Sequence, residues 1–151
     1  TRWLGAELAL AVGDTARARS LLAASAATRK GPARPQVLLS AQALIRAAQA
    51  AQAVGDLRAW LVDHPRDTAA WRLLSQAHAA LGNQVAAVRA EGEISALEQD
   101  ATAALDRMRA AQDLARAGKW GPKGPDYVEA SILDTRTREL GVLARQQALE
   151  R

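Results

Sequence analysis

The sequence predicts an all-α fold: antiparallel helix pairs stacked on one another and closed by a long helix at the C-terminal end. Three observations predict it. Apolar residues recur at helical spacing through every long segment. The chain is rich in Ala and has no Phe, no Cys and only 3% aromatic residues, a composition suited to helices that approach closely. Finally, the pattern of residues 68–97 occurs once already, 34 positions earlier.

A hydrophobic content of 49% over 151 residues suffices for one core, so a single domain is expected. The lack of Cys excludes disulfides, thiolate metal sites and thiol nucleophiles, and His64 and His78 are the only imidazoles. His64 is followed by Pro-Arg-Asp and His78 by Ala-Ala-Leu, so no HExxH is present; no metal, no cofactor and no catalytic residue is expected. Twenty Lys+Arg against 16 Asp+Glu give a net charge of +4, and the cations, nearly all Arg, are interleaved with acids. No apolar run reaches 18 residues, so no membrane insertion is expected. The chain starts at Thr1 without a secretory leader and reads as an excised segment.

Each element follows in order. Residues 1–31 form a partial repeat, with Gly13-Asp14 as a turn and Ala18 as a small residue beyond it. Residues 30–35, Lys-Gly-Pro-Ala-Arg-Pro, are a linker, and Pro35 suits a first helical turn. The second repeat covers 34–67. Strict register puts its turn near Ala47-Ala48 and leaves Gly55 inside a helix, although Gly55-Asp56 is itself a stop signal. Residues 63–67 break the chain again, with His64 complementing a helix end and Asp67 an N-cap. The third repeat, 68–97, places Trp71, Leu74, His78 and Leu81 on one helix, breaks at Gly82-Asn83, and continues through Val85, Val88 and Ile94. Shifted by 34, Trp71 falls on Val37, Ser75 on Ala41, His78 on Leu44, Ala87 on Ala53 and Ile94 on Trp60. Ala18, Ala53 and Ala87 are small where helices cross, with Ala86 on a different face. Trp60, Trp71 and His78 belong to the core by pattern.

After Leu97 the period fails, and 98–151 reads as a degenerate repeat with a capping helix. A helix over 101–117 buries Leu105, Met108, Ala111 and Leu114. A Gly/Pro loop follows, and Asp126 with Glu129 three residues on is an N-cap and capping-box signal for a helix reaching about Ala148. Its expected core stripe is Tyr127, Ala130, Leu133, Leu140 and Leu143. About eight helices result.

The 34-residue period, with Trp71 opening a repeat, Gly82 at its turn, Ala87 at its crossing and Pro65 at its end, resembles the tetratricopeptide repeat. That resemblance implies a right-handed superhelix of helix pairs. The run AEGEISALEQDATAALDRMRAAQDLAR, a Gly-Pro loop and DYVEASILDTRTREL are similar to the C-terminal end of BepA-like periplasmic zinc metallopeptidases; Asp126, Tyr127, Ser131, Ile132, Asp134 and Arg136 carry the match in the last helix. The resemblance covers roughly residues 35–143. It implies a periplasmic location and the non-catalytic repeat domain of a protease acting in outer-membrane protein quality control. Its implied partners are the protein's own N-terminal protease domain and outer-membrane β-barrel clients or their assembly machinery. The alternative is a free-standing tetratricopeptide adaptor or assembly lipoprotein domain with no attached enzyme.

Tetratricopeptide arrays bind peptides along the face lined by the first helix of each pair. By register that face carries Trp3 and Glu7, then Leu38, Gln42 and Arg46, then Arg72 and Gln76. Arg72 and Gln76 stand one turn apart and can hold a carboxylate or a peptide backbone. Trp120, in the Gly/Pro loop, is either an exposed partner anchor or an indole folded back onto the last two helices. Arg107, Arg109, Arg116, Lys119 and Lys123 form the densest basic stretch. Without aromatic interleaving, and with Asp100, Asp106 and Asp113 among them, they read as a solvated face and not a nucleic-acid surface.

Overall fold

In a computed structural model, which describes residues 33–150, the chain forms six α-helices and, among the described residues, no strand. They are α1 (Arg34–Arg46), α2 (Ala50–Asp63), α3 (Thr68–Ala80), α4 (Gln84–Leu97), α5 (Ala101–Arg116) and α6 (Tyr127–Leu149). The partial repeat expected over 1–31, with Ala18, lies outside the described residues.

The helices start where their caps predict. Pro35 occupies the first turn of α1. Asp67 accepts from the Ala70 N–H, Asn83 from Ala86, Asp100 from Ala103, and Asp126 from Val128 and Glu129. Four helices end alike, with one residue in the left-handed region and the next N–H returning to the carbonyl five residues back. The bonds are Gln49 to Leu44 (2.8 Å), Asn83 to His78 (2.9 Å), Asp100 to Ser95 (3.0 Å) and Lys119 to Leu114 (3.0 Å). The left-handed residues are Ala48, Gly82, Gln99 and Gly118. Ala48 and Gly82 stand 34 positions apart, so the turn of the second pair falls where the register puts it, and Gly55 is helical.

Consecutive helices pack on one another, and α1 also packs on α3, whereas α3 and α5 do not touch. The apolar core falls into two clusters. Val37, Ala41 and Leu44 of α1, Ala53, Leu57 and Leu61 of α2, and Leu73, Leu74 and Ala77 of α3 make the first, with Trp60 and Trp71 half-buried against it. Val85 of α4, Leu105 and Met108 of α5, Trp120, and Leu133 and Leu140 of α6 make the second. At the α4–α5 crossing a Cβ on Gly92 would come within 2.8 Å of Met108 Cε, so the absent side chain lets the helices approach. Ser75 Oγ bonds the Ala87 carbonyl across α3 and α4 at 3.0 Å. Ala87 is buried there, but Ala86, expected on a different face, is buried too.

Two expectations for α6 need correction. Tyr127 is 82% exposed and Leu143 45% exposed; α6 packs mainly on α5 and grazes α4, so only residues such as Leu133 and Leu140 are covered. Glu129 does not close a capping box: its carboxylate is buried and turned to Arg89 and Arg58. The loop between α5 and α6 tucks under the α3–α4 turn, where the Lys119 carbonyl accepts from the Gln84 and Val85 N–H groups at 3.1 and 3.3 Å. Gly121 makes this approach with φ +94, and a Cβ there would sit 3.1 Å from the Leu81 carbonyl oxygen.

Candidate functional site

The predicted pair Arg72 and Gln76 lies exposed on α3 and lines a groove of about 330 Å³. Ser75 shares its α3 side, Glu91, Ile94 and Ser95 of α4 form its floor, and Arg107 of α5 stands on the far side. The groove exists because α3 and α5 do not pack together, so α4 is left uncovered between them. Each rim arginine has one loose acidic partner: Arg72 Nη2 lies 3.7 Å from Glu98, and Arg107 Nη1 lies 3.7 Å from Glu91. Such exposed pairs contribute little and exchange readily with an incoming carboxylate. The arrangement offers two guanidiniums, an amide and a hydroxyl, which can bind carboxylates and extended backbone.

The other predicted residues are not brought into this groove. Leu38 is half-buried and packs against the first core cluster. Gln42 and Arg46 are exposed on α1 but do not line it. Trp3 and Glu7 lie outside the described residues. Trp120 is 6% exposed, folded into the second cluster beside Leu105 and Leu133, so its indole is a core group and offers no surface anchor. Arg107, read as part of a solvated basic face, is exposed and also lines the groove; the repeat register ends at Leu97 and gave no reason to align it with Arg72.

A chain of alternating charges that sequence reading missed runs behind the groove helices. Arg58 of α2 reaches Glu129 of α6 at 3.5 Å, and Glu129 pairs with Arg89 of α4. Arg89 approaches Glu93 at 3.4 Å; Glu93 holds Arg136 of α6 at 2.8 Å, and Arg136 ends on Glu139 at 2.7 Å. The Arg89 guanidinium also lies over the Trp71 ring, 5.6 Å from its centroid. His78, 5% exposed, lies near this chain with no hydrogen-bond partner for Nδ1. Burial, with Arg58 and Arg89 adding repulsion, pushes its imidazole down to about 4. It is therefore neutral at pH 7, a core imidazole as expected. His64 stacks on Trp60 with ring centroids 3.7 Å apart and follows the last residue of α2, the helix-end position expected of it.

Asp67 is a second hub. It caps α3, takes Trp60 Nε1 at 2.9 Å, and receives Arg34 Nε and Nη2 at 2.8 and 3.0 Å. Those bonds, the one from Arg34 foremost, hold its carboxyl down at about 2. Among the described residues no group of three or more His, Asp or Glu is placed to hold a metal ion, and no helix is long and apolar enough to cross a membrane. The chain matches no protein-family model, and no curated protein shows significant similarity to it.

Proposed function

We propose that this chain is a non-catalytic protein-interaction scaffold whose α3–α4–α5 groove takes an extended, acidic stretch of a partner protein. The observation that carries this is the placing of Arg72 and Gln76 opposite Arg107 across one open groove, with each arginine only loosely held. On this reading the helix pairs form a tetratricopeptide-like right-handed superhelix capped by α6, and the matching turns at Ala48 and Gly82 support it. The resemblance of the last third extends the proposal: the chain is the C-terminal repeat domain of a periplasmic zinc protease, its partners being that protease domain and outer-membrane β-barrel clients or their assembly machinery.

The test is titration of an unfolded outer-membrane barrel peptide into the parent and into the Arg72→Ala/Gln76→Ala variant at two ionic strengths. The variant should bind about tenfold or more weakly, for one lost charge-assisted contact, with an unchanged melting temperature, and parent affinity should fall with salt. Equal affinities would refute the groove assignment. For the parent protein, an HExxH helix encoded upstream of Thr1 is expected, and a gene without one would remove the protease half of the proposal.

A further inference from the structure

On another side of α4 lies a larger cleft, of about 520 Å³, which uses none of the groove residues named above. One wall is α6, through Arg136, Leu140, Leu143 and Gln147, positions that follow one face of the helix for about 16 Å at 1.5 Å per residue. Arg66 and Trp71 form the opposite wall, and Ala96 and Leu97 of α4 lie between.

The polar groups of this cleft are nearly all engaged within the protein. Gln147 accepts from the Ala101 N–H and donates to the Gln99 carbonyl. Glu93 and Arg136 hold each other, and Trp71 Nε1 donates to the Pro65 carbonyl at 2.9 Å. The exposed Arg66 is the exception, since it pairs with no carboxylate among the described residues. The cleft therefore presents an apolar, elongated floor and one unneutralised cation at its wall.

We propose that this cleft docks an amphipathic helix of a partner protein, with apolar side chains at i, i+3, i+4 and i+7 against Trp71, Leu97 and Leu143 and a carboxylate against Arg66. Length and charge select this occupant. The cleft follows α6 for about 16 Å, three helical turns, with Trp71, Leu97 and Leu143 as its apolar contacts, which suits a short helix lying along it, and the free guanidinium of Arg66 selects an acidic flank. The inference does not depend on the α3–α4–α5 groove.

The probe is a synthetic four-turn Ala/Leu helix, fluorescein-labelled, with Leu at those spacings and one terminal Glu, titrated into the full chain. Saturable binding is expected, with NMR shifts at Trp71 and Leu143 and none at Arg72 or Gln76. Leu143→Asp should weaken it roughly tenfold or more, and Leu143→Ala, which introduces no charge, by several-fold. Arg66→Glu should weaken it about three- to fivefold, and a peptide with Lys in place of Glu should recover that loss. The Arg72→Ala/Gln76→Ala variant should bind this probe like the parent, so each site can fail without the other. Absence of saturable binding, or affinities unmoved by all three cleft variants, would overturn the proposal. So would contacts from residues 1–32 or from a second copy to the Leu143 methyls in the peptide-free protein, or displacement of the probe by an alkyl carboxylate at equal concentration.

Discussion

Glu129 and Arg89, 40 positions apart in the sequence, form an ion pair sealed between α6 and α4. Arg58 reaches the same carboxylate from α2, so this one acid ties the C-terminal helix to both halves of the core. Glu129→Gln would leave two guanidiniums facing a neutral amide, one of them buried. Breaking a buried pair on one side costs about 3–5 kcal/mol, whereas replacing both partners by apolar groups of similar size is often nearly neutral. Urea unfolding should therefore show a large loss for Glu129→Gln and a smaller one for Arg89→Met combined with Glu129→Leu. A double variant that is the less stable of the two would contradict this account.

His78 gives stability a specific dependence on acid. Arg58 faces it from α2, Arg89 from α4, and Asp126 from the N-cap of α6, and burial outweighs them all in keeping the ring neutral. Unfolded, the ring titrates near 6.5; folded, near 4. Between those values the unfolded chain holds a proton that the folded chain lacks, so stability is full above pH 6.5, falls on acidification, and levels off below about 4. The loss is on the order of 3 kcal/mol. A second decline, from Asp67, follows from about pH 4 down to 2, as the carboxyl that Arg34 holds ionised takes up its proton. Melting curves from pH 8 to 3 should show the first decline in the parent and lose it in His78→Leu.

Much of the architecture was legible because it is local. Asp67 and Asp126 cap the helices their side chains predict, and the turn at Ala47-Ala48 follows from the 34-residue register despite the competing Gly55-Asp56 signal. The misreadings concern what stands opposite a residue. Tyr127 and Leu143 have helical spacing suited to a core, but periodicity gives the direction of a face and not whether another helix covers it. Glu129 sits three residues after an N-cap, as a capping box requires, and only the tertiary fold brings Arg89 within reach. Trp120 takes the inward of its two readings, folded onto the last two helices, because Gly121 lets the loop pass under the α3–α4 turn, a contact between segments about 40 residues apart that no local pattern reports. In the candidate groove Arg72 and Gln76 were legible from register, and Arg107 was not, because the register had already ended.

Asp67 joins three helices through one carboxylate, and two substitutions separate its roles. Asp67→Ala removes the cap of α3 and the acceptor for Trp60 Nε1, together about 2–3 kcal/mol. Asp67→Asn keeps an oxygen for the Ala70 N–H, and so the cap, but puts an NH2 where the other oxygen accepted from Trp60 Nε1 and Arg34 Nε; it loses the Trp60 bond and the Arg34 pair, the latter worth less than about 1 kcal/mol because Arg34 is half-exposed. Guanidinium unfolding should place Asn between Ala and the parent, the gap to Ala measuring the cap. Equal losses would mean that the cap contributes little beside the Trp60 bond and the Arg34 pair.

Ala48 and Gly82 occupy the same left-handed position in matching turns, and only one of them is glycine. A Cβ in that conformation costs about 1–2 kcal/mol, partly offset by the extra freedom glycine gains in the unfolded chain. Ala48→Gly should therefore stabilise the protein by up to about 1 kcal/mol and Gly82→Ala should destabilise it by about 1 kcal/mol. Opposite signs in thermal melts would support a shared turn geometry, and two losses would not.

The groove makes a further prediction, opposite in sign to the usual effect of a substitution. Arg72 and Arg107 face it from two helices, and each is engaged, at 3.7 Å, by an acid of the protein itself, Glu98 and Glu91. An acidic partner must compete with those carboxylates. Neutralising them by Glu98→Gln and Glu91→Gln should leave both guanidiniums free and tighten binding of an acidic peptide. Exposed pairs of this kind are worth about 0.2–1 kcal/mol each, so the double variant should bind about two- to thirtyfold more tightly. The gain should shrink at high salt, where both the competition and the attraction are screened. Fluorescence anisotropy with a peptide of alternating Glu and Ser, at low and at physiological ionic strength, measures both. If the double variant binds no better than the parent while Arg72→Ala binds worse, Arg72 is already free in solution and its approach to Glu98 has no effect on recognition. If neither variant changes the affinity, the acidic stretch binds elsewhere on the chain.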